Sequence, residues 1–434
     1  MLSREPRLLP VTLPLSSTRL HTSIADVRSV VDWLIDGARS AARSENVLAE
    51  LCERLLACGI PLWRAGIFVR TLHPHITGRR FLWQAGSGVA MGELPFEDLE
   101  TAKYRASPVV RVYATAAPLR RRLSDERAAA EFDVLRELRA EGATDYLASP
   151  LFFTDGSIQV ATWATKDAVG FGDEHIAAIE AVVAPLARVA EIRALRRTAS
   201  NILDTYVGNQ SGERILAGQI RRGHTESIHA AIWLSDMRGF TRLADRVPPD
   251  ALISLLNRYF DCQVPAILDH GGEVLKFMGD GLLAIFPVQD RDATPAVCDA
   301  ALGAAAEARG GIAALGGSIG IDGVDELRFG LALHVGDVLY GNVGGGARLD
   351  FTCIGPAVNL AARLEKLAGT LGRALLASDE FARHCGTGLE RIGTFMLPGF
   401  SAEQAVFGLV DESGSAPRLA SGAVTQRRPR PASG

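Results

Sequence analysis

A chain of 434 residues with 47% hydrophobic side chains has material for two or more ordinary cores. Its 46 basic and 50 acidic side chains leave a net charge of -4, which excludes the sustained basic face of a general nucleic-acid or anionic-membrane binder. The six cysteines (Cys52, Cys58, Cys262, Cys298, Cys353, Cys385) form no CxxC pair or disulfide framework, no apolar run reaches the roughly 18 residues of a membrane span, and MLSREPRLLPVTLPL lacks a signal-peptide core, so the sequence reads as soluble and cytoplasmic. Residues 1 to about 24 carry three prolines and no period, which predicts a flexible or docking arm. From Ile24 to Cys58, Val27, Val31 and Leu34, then Leu48, Leu51 and Leu55, recur at helical spacing and predict two helices. WRAGIFVRTL and RRFLWQAG read as strands around the turn-rich HPHITG, and DYLASPLFF and SIQVATWAT bracket the turn Thr154-Asp155-Gly156. After Gly170-Phe171-Gly172 a helix starts near Asp173 and runs through HIAAIEAVVAPLARVAEIRAL, with Pro185 expected to kink or break it.

This order of helix pair, strands and closing helix resembles a GAF-type sensory domain over residues 41–190, most of all in YLASPLFFTDGSIQVATWAT followed by GFGDEHIAAIEAVVAPLA. The resemblance implies an α/β sensory domain with a five- or six-stranded sheet and a pocket for a small-molecule ligand. His73 and His75 suggest a metal or haem, but an exposed turn is the plainer reading. Trp63, Trp83 and Trp163 fit a core better than a cofactor cage. Residues 1–40 are then an arm with the start of the first helix, and 191–227 a helical linker. Leu186, Val189, Ile192, Leu195, Ile202, Leu203 and Tyr206 make a plausible parallel dimer seam, though the spacing departs from a strict heptad. The tail 411–434 is rich in Pro, Ser, Gly and Arg and is expected to be disordered.

Chemistry concentrates in residues 228–286. IHAAIWLS is an apolar strand ending at Asp236, and Gly239 permits a tight turn into a helix, so the backbone amides of Gly239, Phe240 and Thr241 can face an anion. EVLKFM and GLLAIF flank Gly279-Asp280, a hairpin whose tip carries a second carboxylate. If the strands are neighbours, Asp236 and Asp280 converge and can hold a divalent metal above a phosphate-binding turn; the plainer reading is two ordinary turn aspartates. Beyond them come a helix 250–269, a helix 293–308, the strands LRFGLALHVG and LDFTCIG, and a helix from Pro356. That alternation predicts an α+β fold with helices over a largely antiparallel sheet. Asn359 and Arg363 are four apart and share a helix face.

LSDMRGFT, LKFMGDGLLAIF, LRFGLALHVGDVLYGNVG and DFTCIGPAVNLAARLE, in this order and spacing, resemble the catalytic domain of class III nucleotidyl cyclases, over residues 228–410. The resemblance implies a ferredoxin-like, palm-type domain that makes a 3′,5′-cyclic nucleotide and pyrophosphate from a nucleoside triphosphate at a homodimer interface. Carried residue by residue, it makes Asp236, Asp280 and the Met237 carbonyl ligands of two Mg²⁺ or Mn²⁺ ions. Asn359 would orient the ribose and Arg363 would stabilise charge on the α-phosphate. The base-reading positions fall on Lys276 and Thr352: a lysine donates to adenine N1 and a threonine hydroxyl accepts from the N6 amine, whereas guanine presents the opposite pattern. Leu275 and Phe277 are expected to face the core beside Lys276, and Cys353 to point away from Thr352.

Two departures stand out. Where the family often has basic residues for the β- and γ-phosphates, this chain has Asp337 and Pro398; either the turn at 239–241, the metals and Arg348 suffice, or triphosphate binding is weaker than usual. The expected function is an ATP-specific adenylyl cyclase regulated by the N-terminal domain. The alternatives are a catalytically degraded homologue serving as a ligand-sensing regulator, and a palm-fold enzyme joining two GTP molecules, which Lys276 and the lack of a GGDEF-like segment disfavour.

Overall fold

The computed structural model describes residues 24–316, 327–346 and 348–410, so the expected arm and tail lie outside the described residues. The chain divides into two units between Thr205 and Tyr206. No helix among the described residues is long and apolar enough to cross a membrane.

The first unit opens with α1 (Ile24–Ile35) and α2 (Ser44–Ala57), then β1 (Arg64–Arg70), β2 (Ile76–Gln84) and β3 (Gly88–Pro95). A helical stretch follows, α3 (Ala102–Arg105) and α4 (Pro108–Thr115), then β4 (Leu119–Arg122), α5 (Glu126–Ala130) and α6 (Asp133–Ala140). β5 (Asp145–Phe152), β6 (Ile158–Thr165) and α7 (Asp173–Val207) close the unit. The strands form one antiparallel sheet in the order β3-β2-β1-β6-β5-β4. Both faces are covered, which explains why β5 and β6 read as continuous apolar runs. Leu147, Leu151, Ala161 and Trp163 join a core with residues of α1, α2 and α7, whereas Tyr146, Ala148, Val160 and Ala164 pack with residues of α4 and α6. On this second side lies a cavity of about 480 Å³, lined among others by Phe68, Leu82, Tyr104, Tyr146 and Thr162. Buried Asp145 at the start of β5 is held by Arg120 Nη2 at 2.7 Å and by the Phe171 amide at 3.1 Å.

Pro185 does not break its helix: α7 is continuous over 35 residues, passing the Thr205–Tyr206 division. A proline costs the helix the bond to the carbonyl four residues back, and here that carbonyl belongs to exposed Ala181, where water can replace the lost donor. His73 and His75 sit on the β1–β2 turn with their rings edge-on at 5.9 Å.

The second unit begins with α8 (Asn209–Leu216) and β7 (Thr225–Met237), followed by α9 (Phe240–Ala244), α10 (Pro249–Asp261) and α11 (Val264–Asp269). Next come β8 (Glu273–Met278), β9 (Gly281–Val288), α12 (Thr294–Gly316), β10 (Phe329–Gly345) and β11 (Arg348–Ile354). The unit ends with α13 (Pro356–Leu371), β12 (Leu375–Ser378), α14 (Asp379–His384), β13 (Leu389–Phe395) and β14 (Gln404–Leu409). The sheet runs β13-β14-β12-β10-β7-β9-β8, with β11 paired to β10. Its half β10-β7-β9-β8 is the 4-1-3-2 order of a ferredoxin-like βαββαβ unit, antiparallel throughout, while β12 joins β10 in parallel. The fold is therefore α+β, as expected. The helix expected at 250–269 is two, because Pro265 lacks the amide needed to carry it through Gln263.

Candidate active site

β7 lies between β9 and β10, so the end of β7 is fixed on both sides. Asp236 is its penultimate residue, half-buried, in register with Gly330 of β10. Met237, the last residue of β7, is buried. Gly239 then takes φ 77°, a left-handed conformation that suits glycine, and Phe240 and Thr241 begin the short α9.

Met278 of β8 pairs with Gly281 of β9 across the two-residue turn Gly279-Asp280. Gly281 passes so close to the end of β7 that a Cβ there would sit 3.0 Å from the Ser235 carbonyl and 3.4 Å from Asp236 Oδ1. The hairpin tip thus lies against Asp236. Burial and the neighbouring Asp280 carboxylate, hydrogen-bonded to it, push the Asp236 carboxyl up to about 6. Two carboxylates crowded in this way repel once both ionise, and a divalent cation relieves that repulsion. No cluster of three or more His, Cys, Asp or Glu with metal-holding geometry occurs among the described residues. Two carboxylates are the usual protein share of a Mg²⁺ site, the remaining positions going to water, a carbonyl and substrate phosphates. The donor set fits such an ion.

Lys276 is half-buried on β8, just after a register shift between Val274 and Lys276. That bulge overturns the strict alternation expected here: Leu275 is buried, but Phe277 is 53% exposed, its ring 4.6 Å from that of Phe260. On β11, Phe351 and Cys353 belong to one apolar cluster, and Thr352, between them, faces the other way. The Thr352 hydroxyl is buried and finds no hydrogen-bond partner among the described residues. An unpaired buried hydroxyl is costly and fits a group that awaits a ligand. Lys276 acts electrostatically on the Cys353 thiol, placing its charge near this stretch of β11.

Asn359 is exposed and Arg363 half-buried on α13. The same helix presents Glu365 towards β7, where its charge raises the Asp236 carboxyl. At 100° per residue, Arg363 stands about 200° from Glu365, whereas Asn359 and Arg363 are about 40° apart. Arg363 therefore lies on the side of α13 opposite Glu365. Within one chain the structure brings Asp280 and Gly281 against Asp236 at the end of β7.

Asp337 pairs with His229 of β7, seven rows along β10 from the Gly330–Asp236 row, roughly 23 Å away at ~3.3 Å per residue. It accepts hydrogen bonds from Arg291 at 2.8 Å and meets His229 Nδ1 at 2.7 Å, contacts that hold its carboxyl below the usual range. Pro398 lies in an exposed turn after β13, and Arg348 is exposed at the start of β11.

Sequence reading missed two residues. Arg238, inside the turn, donates from Nη1 to Glu365 Oε1 at 2.5 Å and from Nη2 to the Glu365 carbonyl at 2.9 Å. Its partner lies 127 residues away, so no local pattern could announce the pair.

Residues 224–379 match the family model of the adenylate and guanylate cyclase catalytic domain. An uncharacterised protein of Mycobacterium tuberculosis is 36% identical over 166 residues, which is 38% of this chain and 29% of that protein. Adenylate cyclase 1 of Rhizobium meliloti is 31% identical over 153 residues, 35% of this chain and 22% of that protein. The chain thus spans under a third of the length of either relative. Among solved structures, a bacterial light-regulated adenylyl cyclase aligns at a TM-score of 0.44 and 25% identity over 52% of this chain and 64% of that one. The adenylyl cyclase CyaB from P. aeruginosa aligns at a TM-score of 0.40 and 28% identity over 43% and 96%. The family match lies wholly within the second unit.

Proposed function

We propose that the protein is an adenylyl cyclase that converts ATP to 3′,5′-cyclic AMP and pyrophosphate in a homodimer. The observation that carries this reading is the convergence of Asp236 and Asp280 at the end of a central strand, where burial and the Asp280 carboxylate raise the Asp236 carboxyl. Two Mg²⁺ or Mn²⁺ ions held there, with the Met237 carbonyl, would supply Lewis acidity at the attacking 3′-hydroxyl and the leaving pyrophosphate. The amides of Gly239, Phe240 and Thr241 receive phosphate oxygens at the start of α9. Arg363 offers a planar multi-donor fork to the α-phosphate, and Asn359, one turn away, fixes the ribose. Lys276 donates to adenine N1 while the unpaired Thr352 hydroxyl accepts from N6.

Because Arg363 lies on the side of α13 opposite Glu365, a second copy completes each site. The first unit, with its cavity of about 480 Å³, acts as a sensory domain for a small ligand. Asp337 lies far along β10 from the Gly330–Asp236 row and is paired with Arg291 and hydrogen-bonded to His229, so it leaves that metal site undisturbed.

Purified protein given ATP and Mn²⁺ should form cyclic AMP, and much less cyclic GMP from GTP. No product across metals, pH values and added ligands would replace this reading with that of a non-catalytic regulator. Mixing inactive Asp236→Ala and Arg363→Ala proteins should restore activity through one intact hybrid site, and no restoration would count against a composite site.

A further inference from the structure

The Arg238–Glu365 pair joins the turn after β7 to helix α13 within one chain. Arg238 stands between Met237 and Gly239, inside the turn that bears the carboxylate and the phosphate-facing amides. Its amide donates to the Arg328 carbonyl at 2.8 Å, pinning the turn to the chain leading into β10. Its guanidinium crosses to α13, where it meets both the side chain and the carbonyl of Glu365. Two glycines make the passage. A Cβ on Gly330 would fall 1.6 Å from Arg238 Nη2, and one on Gly369 would fall 3.0 Å from Nη1. Glu365 is 8% exposed, so the guanidinium is held in a slot and not loosely paired at the surface. Glu365 is also two residues from Arg363, on the same helix as Asn359.

We propose that the Arg238–Glu365 pair is a positioning clamp tying the metal-carboxylate turn to helix α13, and so couples the two half-sites that each chain contributes. The proposal rests on the composite-site reading above. In a dimer the turn of one chain serves one site and α13 of the same chain serves the other. Neither Arg238 nor Glu365 need touch substrate. The clamp fixes how the Asp236 turn and the Asn359–Arg363 face stand relative to each other, so loss of the clamp disturbs both sites of the dimer at once.

The test uses Arg238→Gln in the full chain, with Gly330→Ala as a second variant that displaces the guanidinium without deleting its charge. As homodimers both should lose roughly 10- to 100-fold in activity, the usual cost of removing a supporting partner. Two hybrids separate the halves, each made with the inactive partner in excess. Arg238→Gln with Asp236→Ala works only through an unclamped metal turn and an intact α13. Arg238→Gln with Arg363→Ala works only through an intact metal turn and an unclamped α13. Both should fall below the Asp236→Ala with Arg363→Ala reference mixture at saturating ATP. If either hybrid matches the reference, the coupling is wrong. The reference contains no Arg238 variant, so its silence would indict the composite site alone. Hydrogen exchange then still decides the clamp: Arg238→Gln should speed exchange in both 239–243 and 356–366 while leaving β12 unchanged. Unchanged exchange in either segment overturns it.

Discussion

Asp145 and Asp236 are both aspartates on strands, and their surroundings are opposite. Asp145 is fully buried, yet every demand of its carboxylate is met by the Arg120 guanidinium and the Phe171 amide, and Gly170 is shaped around it. Asp236 is only half-buried, but it is hydrogen-bonded to another carboxylate, and Arg238 offsets only part of the resulting charge. The first arrangement closes on itself and holds a fold together. The second leaves a deficit of positive charge that only something from outside the chain can meet. A burial value alone would have ranked the two the wrong way round for function.

The contrast can be broken most sharply by deletion. Asp236→Ala should cut cyclic AMP formation on the order of 10²–10³-fold or more with no loss of melting temperature, because it removes charge that the fold does not need. Asp145→Ala should instead leave half-buried Arg120 and the Phe171 amide without their acceptor and destabilise the first unit by about 1–3 kcal/mol, read by denaturant unfolding. If both variants lose activity and stability alike, the distinction fails. Next in size is base choice: Lys276→Glu with Thr352→Cys should move preference from ATP towards GTP by about 10-fold or more, and unchanged selectivity would refute the hydrogen-bond argument for both residues.

A smaller effect lies in pH. A carboxyl raised to about 6 in the folded protein contributes stability at low pH that is lost as pH rises through that value. Metal-free Asp236→Asn protein should therefore gain melting temperature over the parent as pH climbs from about 4 to above 6, then hold that gain. Mn²⁺ should stabilise the parent and not the variant. An excess independent of pH would show that Asp280 does not crowd Asp236.

Much of this was legible in the chain because local patterns carried it. The hairpin around Thr154-Asp155-Gly156, the Gly279-Asp280 turn and the proline-led start of α13 each follow from residues adjacent in sequence. What escaped depended on neighbours far away or on solvent. Pro185 was expected to interrupt α7, and only the exposure of Ala181 explains why the helix tolerates it. Phe277 was assigned to the core by alternation, which the bulge at Val274–Lys276 upsets. β12, α14, β13 and β14 are short elements without strong periodicity and were not anticipated. The candidate site was read as single residues, but their division into two faces, set by the angle between Arg363 and Glu365 on α13, needed the structure.

The sheet order has a further consequence for fidelity. Asp236 rides on β7, shielded by a strand on either side, whereas Lys276 rides on β8, the last strand of the sheet. Edges fray before centres, so warming towards the melting point should loosen Lys276 and, just past the end of the same strand, Asp280, while Asp236 stays fixed. Discrimination between nucleotides and metal binding should then decay together, so that the first sign of thermal stress is a catalyst both less selective and more demanding of metal.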